Sequence, residues 1–210
     1  MKILLYRSIF IATFILICAA VKSQSKLLFR EDWKEIPAAT PVTQEHVSNP
    51  RLILSLYGPA KDEIKKSNHP PIPNDPYYIW SGDCKGNWAL SLRDKDGWID
   101  LTGDSKIKLR SRQSGFRQLH LILRLATGDW MVSDQSVAYT ADWTVDELKI
   151  ADLGWRKLNI ETVIEGNRIE NPDVSKVAEV GFTDLMTGGG TPASSRLDWI
   201  EVYGKGLSKN

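Results

Sequence analysis

Two runs with a period of two, separated by a glycine turn, restrict this chain more than any other feature. Ile107 and Leu109 alternate with Lys106, Lys108, Arg110 and Arg112; further on, Leu119, Leu121, Leu123 and Leu125 alternate with Gln118, His120, Ile122 and Arg124. Successive side chains of a strand point to opposite sides, so both runs read as half-buried antiparallel strands with Gln113-Ser114-Gly115 as the turn. As neighbours, they gather cationic and amide groups on one exposed sheet face and send the leucines into the core. Such a face suits an extended polar ligand.

The same reading along the chain gives eleven short strands, at 27–33, 52–57, 77–80, 88–93, 98–101, 106–111, 118–125, 130–133, 155–160, 178–183 and 196–203. They are rich in aromatic and β-branched residues and are divided by turn signals such as Asp96-Gly97 and Thr127-Gly128-Asp129. Helical signals are confined to one or two short turns, at 60–66 and 145–148, and the proline-rich stretch 68–76 forces an extended loop. The fold class expected is all-β: a two-sheet antiparallel β-sandwich of jelly-roll type with long loops.

Residues 1–23 read as an export signal, with Lys2 and Arg7 ahead of an apolar stretch from Ile9 to Ala20 and a small-residue cleavage site before Gln24. The apolar stretch is short for a bilayer, which needs about 20 residues. The expectation is a secreted or periplasmic protein with no membrane span after cleavage, and a single sandwich domain over 24–210. Ile17 before Cys18 does not suit lipid attachment. Cys18 would leave with the signal, and Cys84, left without a disulfide partner, reads as buried and not catalytic.

A formal net charge of +1 gives no overall drive toward nucleic acid. Locally the charge is uneven: Lys106, Lys108, Arg110, Arg112, Arg117 and Arg124 stand together without an acid, whereas Asp142, Asp146, Glu147 and Asp152 stand against Lys149 alone. Such a basic stretch is either a solvated face paired with nearby carboxylates or a site for an anionic glycan. Of the eight tryptophans, Trp88, Trp98, Trp155 and Trp199 read as core. Trp80, after Tyr77 and Tyr78 and beside the proline-rich loop, suits stacking on sugar rings. Trp130 opens a strand that returns beside the second basic run and brings Asp134 and Gln135 to it. The candidate ligand-binding set is Tyr78, Trp80, Arg110, Arg112, His120, Arg124, Trp130 and Gln135.

The chain ends with Val180-Gly181-Phe182-Thr183-Asp184-Leu185 and Ser195-Arg196-Leu197-Asp198-Trp199-Ile200-Glu201-Val202-Tyr203-Gly204. This resembles the closing strand pair of galactose-binding-like jelly-roll modules and of concanavalin-like domains in secreted sugar-processing proteins such as the 3-keto-disaccharide hydrolase type. The resemblance implies a carbohydrate partner. It also implies a structural calcium between an acid of the first strand, Glu31 or Asp32, and one near the last, Asp198 or Asp184; no other cofactor is expected.

Catalysis has thinner support. His120 with Arg110, Arg112 or Arg124 suits a lyase, and Asp134 with Glu201 or Asp184 suits a glycosidase, which makes His120 and Asp134 the catalytic candidates. No nucleophile elbow, zinc motif or phosphate loop occurs, and Gly188-Gly189-Gly190 reads as a hairpin connection. The sequence therefore points first to carbohydrate recognition, including acidic polysaccharide. Its alternatives are a glycoside hydrolase or polysaccharide lyase and a structural or interaction protein of the cell envelope.

Overall fold

The computed structural model describes residues 25–73, 75–187 and 193–208. The expected export signal and the glycine connection at 188–190 lie outside these residues. The strands are β1 (Lys26–Glu31), β2 (Leu52–Tyr57), β3 (Lys65–Ser67), β4 (Tyr78–Trp80), β5 (Ala89–Asp94), β6 (Gly97–Asp100) and β7 (Lys106–Gln113). They continue as β8 (Leu119–Leu125), β9 (Trp130–Val137), β10 (Thr144–Lys149), β11 (Trp155–Asn159), β12 (Ile164–Ile169), β13 (Val177–Thr183) and β14 (Ser195–Ser208). The described helical residues are short 3-10 turns at Gln44–His46, Lys61–Glu63 and Ile150–Asp152.

The strands pair antiparallel in two sheets, the arrangement of a jelly-roll sandwich. In the front sheet β10, β7 and β14 are consecutive; β4 and β1 share the other edge of β14, and β3 lies outside β4. The back sheet runs β2-β5-β13-β8-β9-β11-β12. The end of β14 leaves the front sheet and pairs with β6, which meets β13 at Ile99 opposite Val177. Gly204 sits at this crossing because a Cβ there would stand 2.6 Å from the Asp100 carbonyl oxygen.

Between the sheets, Ile107, Leu109, Leu197, Ile200 and Val202 of the front meet Leu90, Leu92, Leu121, Leu123, Val180 and Phe182 of the back, all buried. Each such side chain contributes about 1.5–3 kcal/mol on leaving water. Trp88 joins them, edge-on to Phe182 at 5.9 Å. A smaller cluster of Ala89, Ile122, Val132, Leu158 and Val163 lies on the outer side of the back sheet, sealed by Tyr57, Trp130, Ile160 and Leu185.

Two expectations are corrected here. Residues 145–148 are not a helical turn but the middle of β10, paired with β7 from Lys149 opposite Lys106 to Thr144 opposite Ser111. More consequentially, β7 and β8 are not neighbours: β7 pairs with β10 and β14 in the front sheet, and β8 with β13 and β9 in the back sheet. Alternation assigns an apolar side to each strand but does not assign the strand to a sheet. Here the two strands face one core from opposite sides, so their polar sides meet solvent on opposite faces of the sandwich. The expected single basic face is thus divided between Arg110 and Arg112 in front and His120 and Arg124 behind.

Candidate functional site

The outer face of the front sheet is a layer of aromatic and cationic side chains. β7 contributes Lys106, Lys108, Arg110 and Arg112, each half-buried and alternating with buried Ile107, Leu109, Ser111 and Gln113. Opposite them, β14 contributes Arg196, Trp199, Glu201 and Tyr203. β1 adds Arg30 opposite Glu201, and β4 adds Trp80 opposite Arg196. The segment before β10 brings in Trp143.

Each half-exposed ring on this face has a cation against it. Arg30 Cζ is 4.2 Å from the Trp199 ring centre, Arg110 Cζ 5.4 Å from that of Trp143, Lys65 Nζ 5.3 Å from that of Trp80, and Lys106 Nζ 5.4 Å from that of Tyr203. Cations at such distances are drawn to the electron-rich ring faces. Tyr78 is buried beneath this layer, its ring edge-on to Trp143 at 5.3 Å and its hydroxyl 3.1 Å from His69 Nδ1, so it supports Trp143 and does not meet a ligand itself. Gly82 lets the Trp80 indole lie against the following turn: a Cβ on Gly82 would stand 2.0 Å from Trp80 Cζ2.

Charge is neutralised over only part of this face. Glu147 of β10 takes Lys106 at 2.9 Å and Lys108 at 3.3 Å, Asp198 takes Arg110 at 2.5 Å, and Arg30 is shared by Asp32 and Glu201. At the other end Arg112 and Arg196 stand directly opposite each other across β7 and β14, with Trp80 next in the row and Lys65 beyond it. Among the described residues none of these three cations has a carboxylate partner. Like charges directly opposite on a sheet cost roughly 0.2–1 kcal/mol. An anion placed between the two guanidinium groups removes that cost and gains charge-assisted hydrogen bonds.

The remaining sequence candidates lie on the back sheet. Arg124 binds the buried Glu179 carboxylate at 2.8 Å, and Trp130 packs edge-on against Tyr57 at 5.0 Å over the small cluster. Gln135 braces a loop, its Oε1 accepting from Gly154 N at 2.8 Å and its Nε2 donating to the Asp152 carbonyl at 3.3 Å. His120 and Asp134 do come together, lining a cleft of about 600 Å3 with Gln118, Arg156, Glu165 and the exposed Phe116. His120 Nδ1 lies 2.8 Å from the Ser133 carbonyl, to which it donates, leaving Nε2 as the other ring nitrogen. Arg156 Nε lies 2.8 Å from Asp134 and 3.7 Å from Glu165, so one guanidinium engages two of the three acids lining the cleft; the third, the buried Asp184, takes Arg117 Nη1 at 3.0 Å.

The bonding of Glu31 and Asp198 argues against a calcium held between these two. Glu31 is fully buried, and its carboxylate accepts from the backbone N–H groups of Trp33 at 2.8 Å, Ser48 at 2.7 Å and Asn49 at 2.9 Å. Asp198 points to the other side of the front sheet, onto Arg110. A hard cation needs converging oxygens that face no donors, and Glu31 and Asp198 neither converge nor lack donors. No cluster of three or more acidic, histidine or cysteine side chains suited to a metal occurs among the described residues. Cys84 is buried, and its thiol is pushed up to about 12 by that burial, ahead of the nearby Asp184 and Glu63 charges. It is an inert core residue, not a nucleophile.

Sequence reasoning missed Arg196, Trp143 and Lys65 and misplaced Trp199. Strict alternation puts Trp199 on the same side as Leu197, in the core. A β-bulge between Leu197 and Trp199 reverses the side, so Leu197, Ile200 and Val202 point inward and Trp199 outward. The signal was present in the sequence, since Ile200 and Val202 demand the inner positions. Trp98 is likewise outside the core, half-buried with Lys176 Nζ 5.1 Å from its ring centre.

No family model and no curated protein matches the chain. Among solved structures it is similar to the family 11 carbohydrate-binding module of the cellulosomal cellulase Lic26A-Cel5E of Clostridium thermocellum, with 13% identity and a TM-score of 0.46, covering 86% of this chain and 95% of that one. It is also similar to a mutant of the family 29 module CBM29-2 complexed with mannohexaose, with 8% identity and a TM-score of 0.49, covering 86% of this chain and 92% of that one. An exo-β-agarase matches at 9% identity and a TM-score of 0.41, over 77% of this chain and 24% of its own. At these identities and TM-scores the likenesses carry no functional argument. The chain is a two-sheet antiparallel β-sandwich by its own strand pairing, with one aromatic and cationic sheet face by its own side chains.

Proposed function

We propose that this protein is an exported, non-catalytic carbohydrate-binding module that recognises an acidic polysaccharide with the outer face of its front sheet. Export is supported by the basic, apolar and small-residue succession of residues 1–23. The observation that carries the ligand assignment is the Arg112–Arg196 pair, opposed and without an acid among the described residues, beside the Trp80 indole. A uronate or sulfate group bridges the two guanidinium groups while the attached ring stacks its apolar side on Trp80. Trp143 and Trp199 continue the aromatic surface along the same sheet, as a polymer requires. The cleft of His120 and Asp134 favours an enzyme less, because each carboxylate in it already faces a guanidinium, Asp134 and Glu165 that of Arg156 and Asp184 that of Arg117.

The test is retention on anionic and neutral polysaccharide matrices at low and moderate salt, with the eluate assayed for new reducing ends and unsaturated sugars. The expected result is salt-sensitive retention on the anionic matrix without products, lost in Arg112→Ala. Released products that vanish in His120→Ala would instead make the protein an enzyme. Absence of retention on every matrix would leave the envelope-interaction reading.

A further inference from the structure

The back sheet carries a second cationic pocket on the side of the molecule opposite Arg112 and Arg196. Glu179 lies in β13 between two arginines: Arg124 is its partner in β8, and Arg93 of β5 follows Leu92, the partner of Val180. The Glu179 carboxylate is already filled, taking Arg124 Nη1 at 2.8 Å on one oxygen and Ser91 Oγ at 2.5 Å and the Tyr57 hydroxyl at 3.1 Å on the other. Arg93 is therefore left without a carboxylate among the described residues, and Arg124 Nε is buried without a hydrogen-bond partner.

Both arginines line a cavity of about 310 Å3, walled by Trp98, Leu125, Ala126, Gly128 and Ala178 and containing no acid. Lys176, set against the Trp98 ring, adds a third cation at its edge. The cavity thus offers one guanidinium without a carboxylate among the described residues, a second guanidinium held to Glu179 through Nη1, and an indole wall. A sulfate ester or carboxylate on a sugar ring satisfies the two arginines together while its ring lies on Trp98.

We propose that this cavity is a second anion site, so that one molecule binds acidic polysaccharide on both faces and bridges two chains. The polysaccharide nature of the ligand rests on the proposed function of the front face; the anion site rests on Arg93 and Arg124 alone. Two sites on opposed faces turn modest affinities into avidity of order 100-fold or more on a dense matrix.

The experiment is calorimetric titration of short, size-defined sulfated and uronate oligosaccharides into the wild type, Arg93→Ala and the double variant Arg112→Ala/Arg196→Ala, with light scattering on addition of the long polymers. Arg93→Gln, which keeps a side chain of polar type, and the melting temperature of each variant guard against misfolding. The expected result is two bound oligosaccharides per molecule for the wild type and one for each variant, with polymer cross-linking lost in both. An unchanged stoichiometry and unchanged cross-linking in Arg93→Ala and Arg93→Gln would overturn the second site. Two sites retained in the double variant, with one lost in Arg93→Ala, would leave the second site standing and overturn the front-face reading. No binding of either oligosaccharide by the wild type would overturn both.

Discussion

Arg117 Nη1 lies 3.0 Å from Asp184 Oδ2, and both side chains are enclosed, at 4% and 0% exposure. The pair ties the link between β7 and β8 to the end of β13, at the place where the chain passes from the front sheet to the back. Ser81 and Ser195 also donate to Asp184, so β4 and β14 meet at the same carboxylate. Removing one member of a buried pair strands the other charge. Arg117→Met is expected to lose about 3–5 kcal/mol of stability in urea unfolding; a loss below about 1 kcal/mol would show that the pair does not hold the crossing.

Acid should favour this fold at its buried carboxylates. Burial raises the Asp184 carboxyl above its ordinary value, outweighing Arg117 and the hydrogen bonds from Met186, Ser195 and Ser81. Burial raises Asp198 in the same way, against Arg110. The native state keeps these protons at pH values where the unfolded chain has released them, so their contribution is complete below the unfolded pKa and is lost as pH rises through the folded value. Lys66 acts at the alkaline end. Burial pushes it from 10.5 down to about 8, so the native state holds fewer protons over that interval and stability from this group rises with pH across it. Urea midpoints measured from pH 4 to 10 should show that Lys66→Met abolishes the alkaline gain; a gain kept in the variant would assign it to other groups.

Glu31 organises the loop after β1 through three backbone N–H groups. Glu31→Ala strips all three of their acceptor and is expected to cost about 3 kcal/mol or more, at roughly 1–3 kcal/mol for each stranded donor. Chelation by EDTA is expected to leave the melting temperature unchanged, since the carboxylate is filled by donors. A fall in melting temperature on chelation, restored by calcium, would contradict this account.

Gly82 holds the Trp80 ring flat by having no side chain. Gly82→Ala places a carbon 2.0 Å from Cζ2 and must displace the indole. The variant should lose glycan affinity to the extent that Trp80→Ala does, about 10- to 100-fold for a stacking contact of roughly 1–3 kcal/mol, with its fold retained by circular dichroism. Full affinity in Gly82→Ala would remove Trp80 from the site.

The period-two pattern disclosed all eleven anticipated strands and most of the core, because burial on one side of a strand leaves a direct trace in residue order. It missed β3, a basic three-residue edge piece, β10, whose acids mask its alternation, and β12, whose residues are mostly exposed. Pairing was less legible. The relation of β7 to β14, which creates the Arg112–Arg196 pair, joins residues more than eighty positions apart, and nothing local encodes it. The outward position of Arg110 and Arg112 was legible because they stand on the polar side of a strand, and Trp80 stood out by the aromatics and the proline-rich loop beside it. Trp199 was lost to a bulge, and Arg124 and Trp130 were misplaced because their strands, β8 and β9, belong to the other sheet.

The central claim is that Arg112, Arg196 and Trp80 form one anion and sugar subsite. Its most direct measurement is an NMR titration of the protein with an acidic oligosaccharide, following the arginine Nε–H and tryptophan Nε1–H signals. The account predicts saturable shifts at Arg112, Arg196 and Trp80, weaker shifts at Trp143 and Trp199, and none at these positions with a neutral oligosaccharide of the same length. Saturation of the protein with these signals unmoved would contradict it.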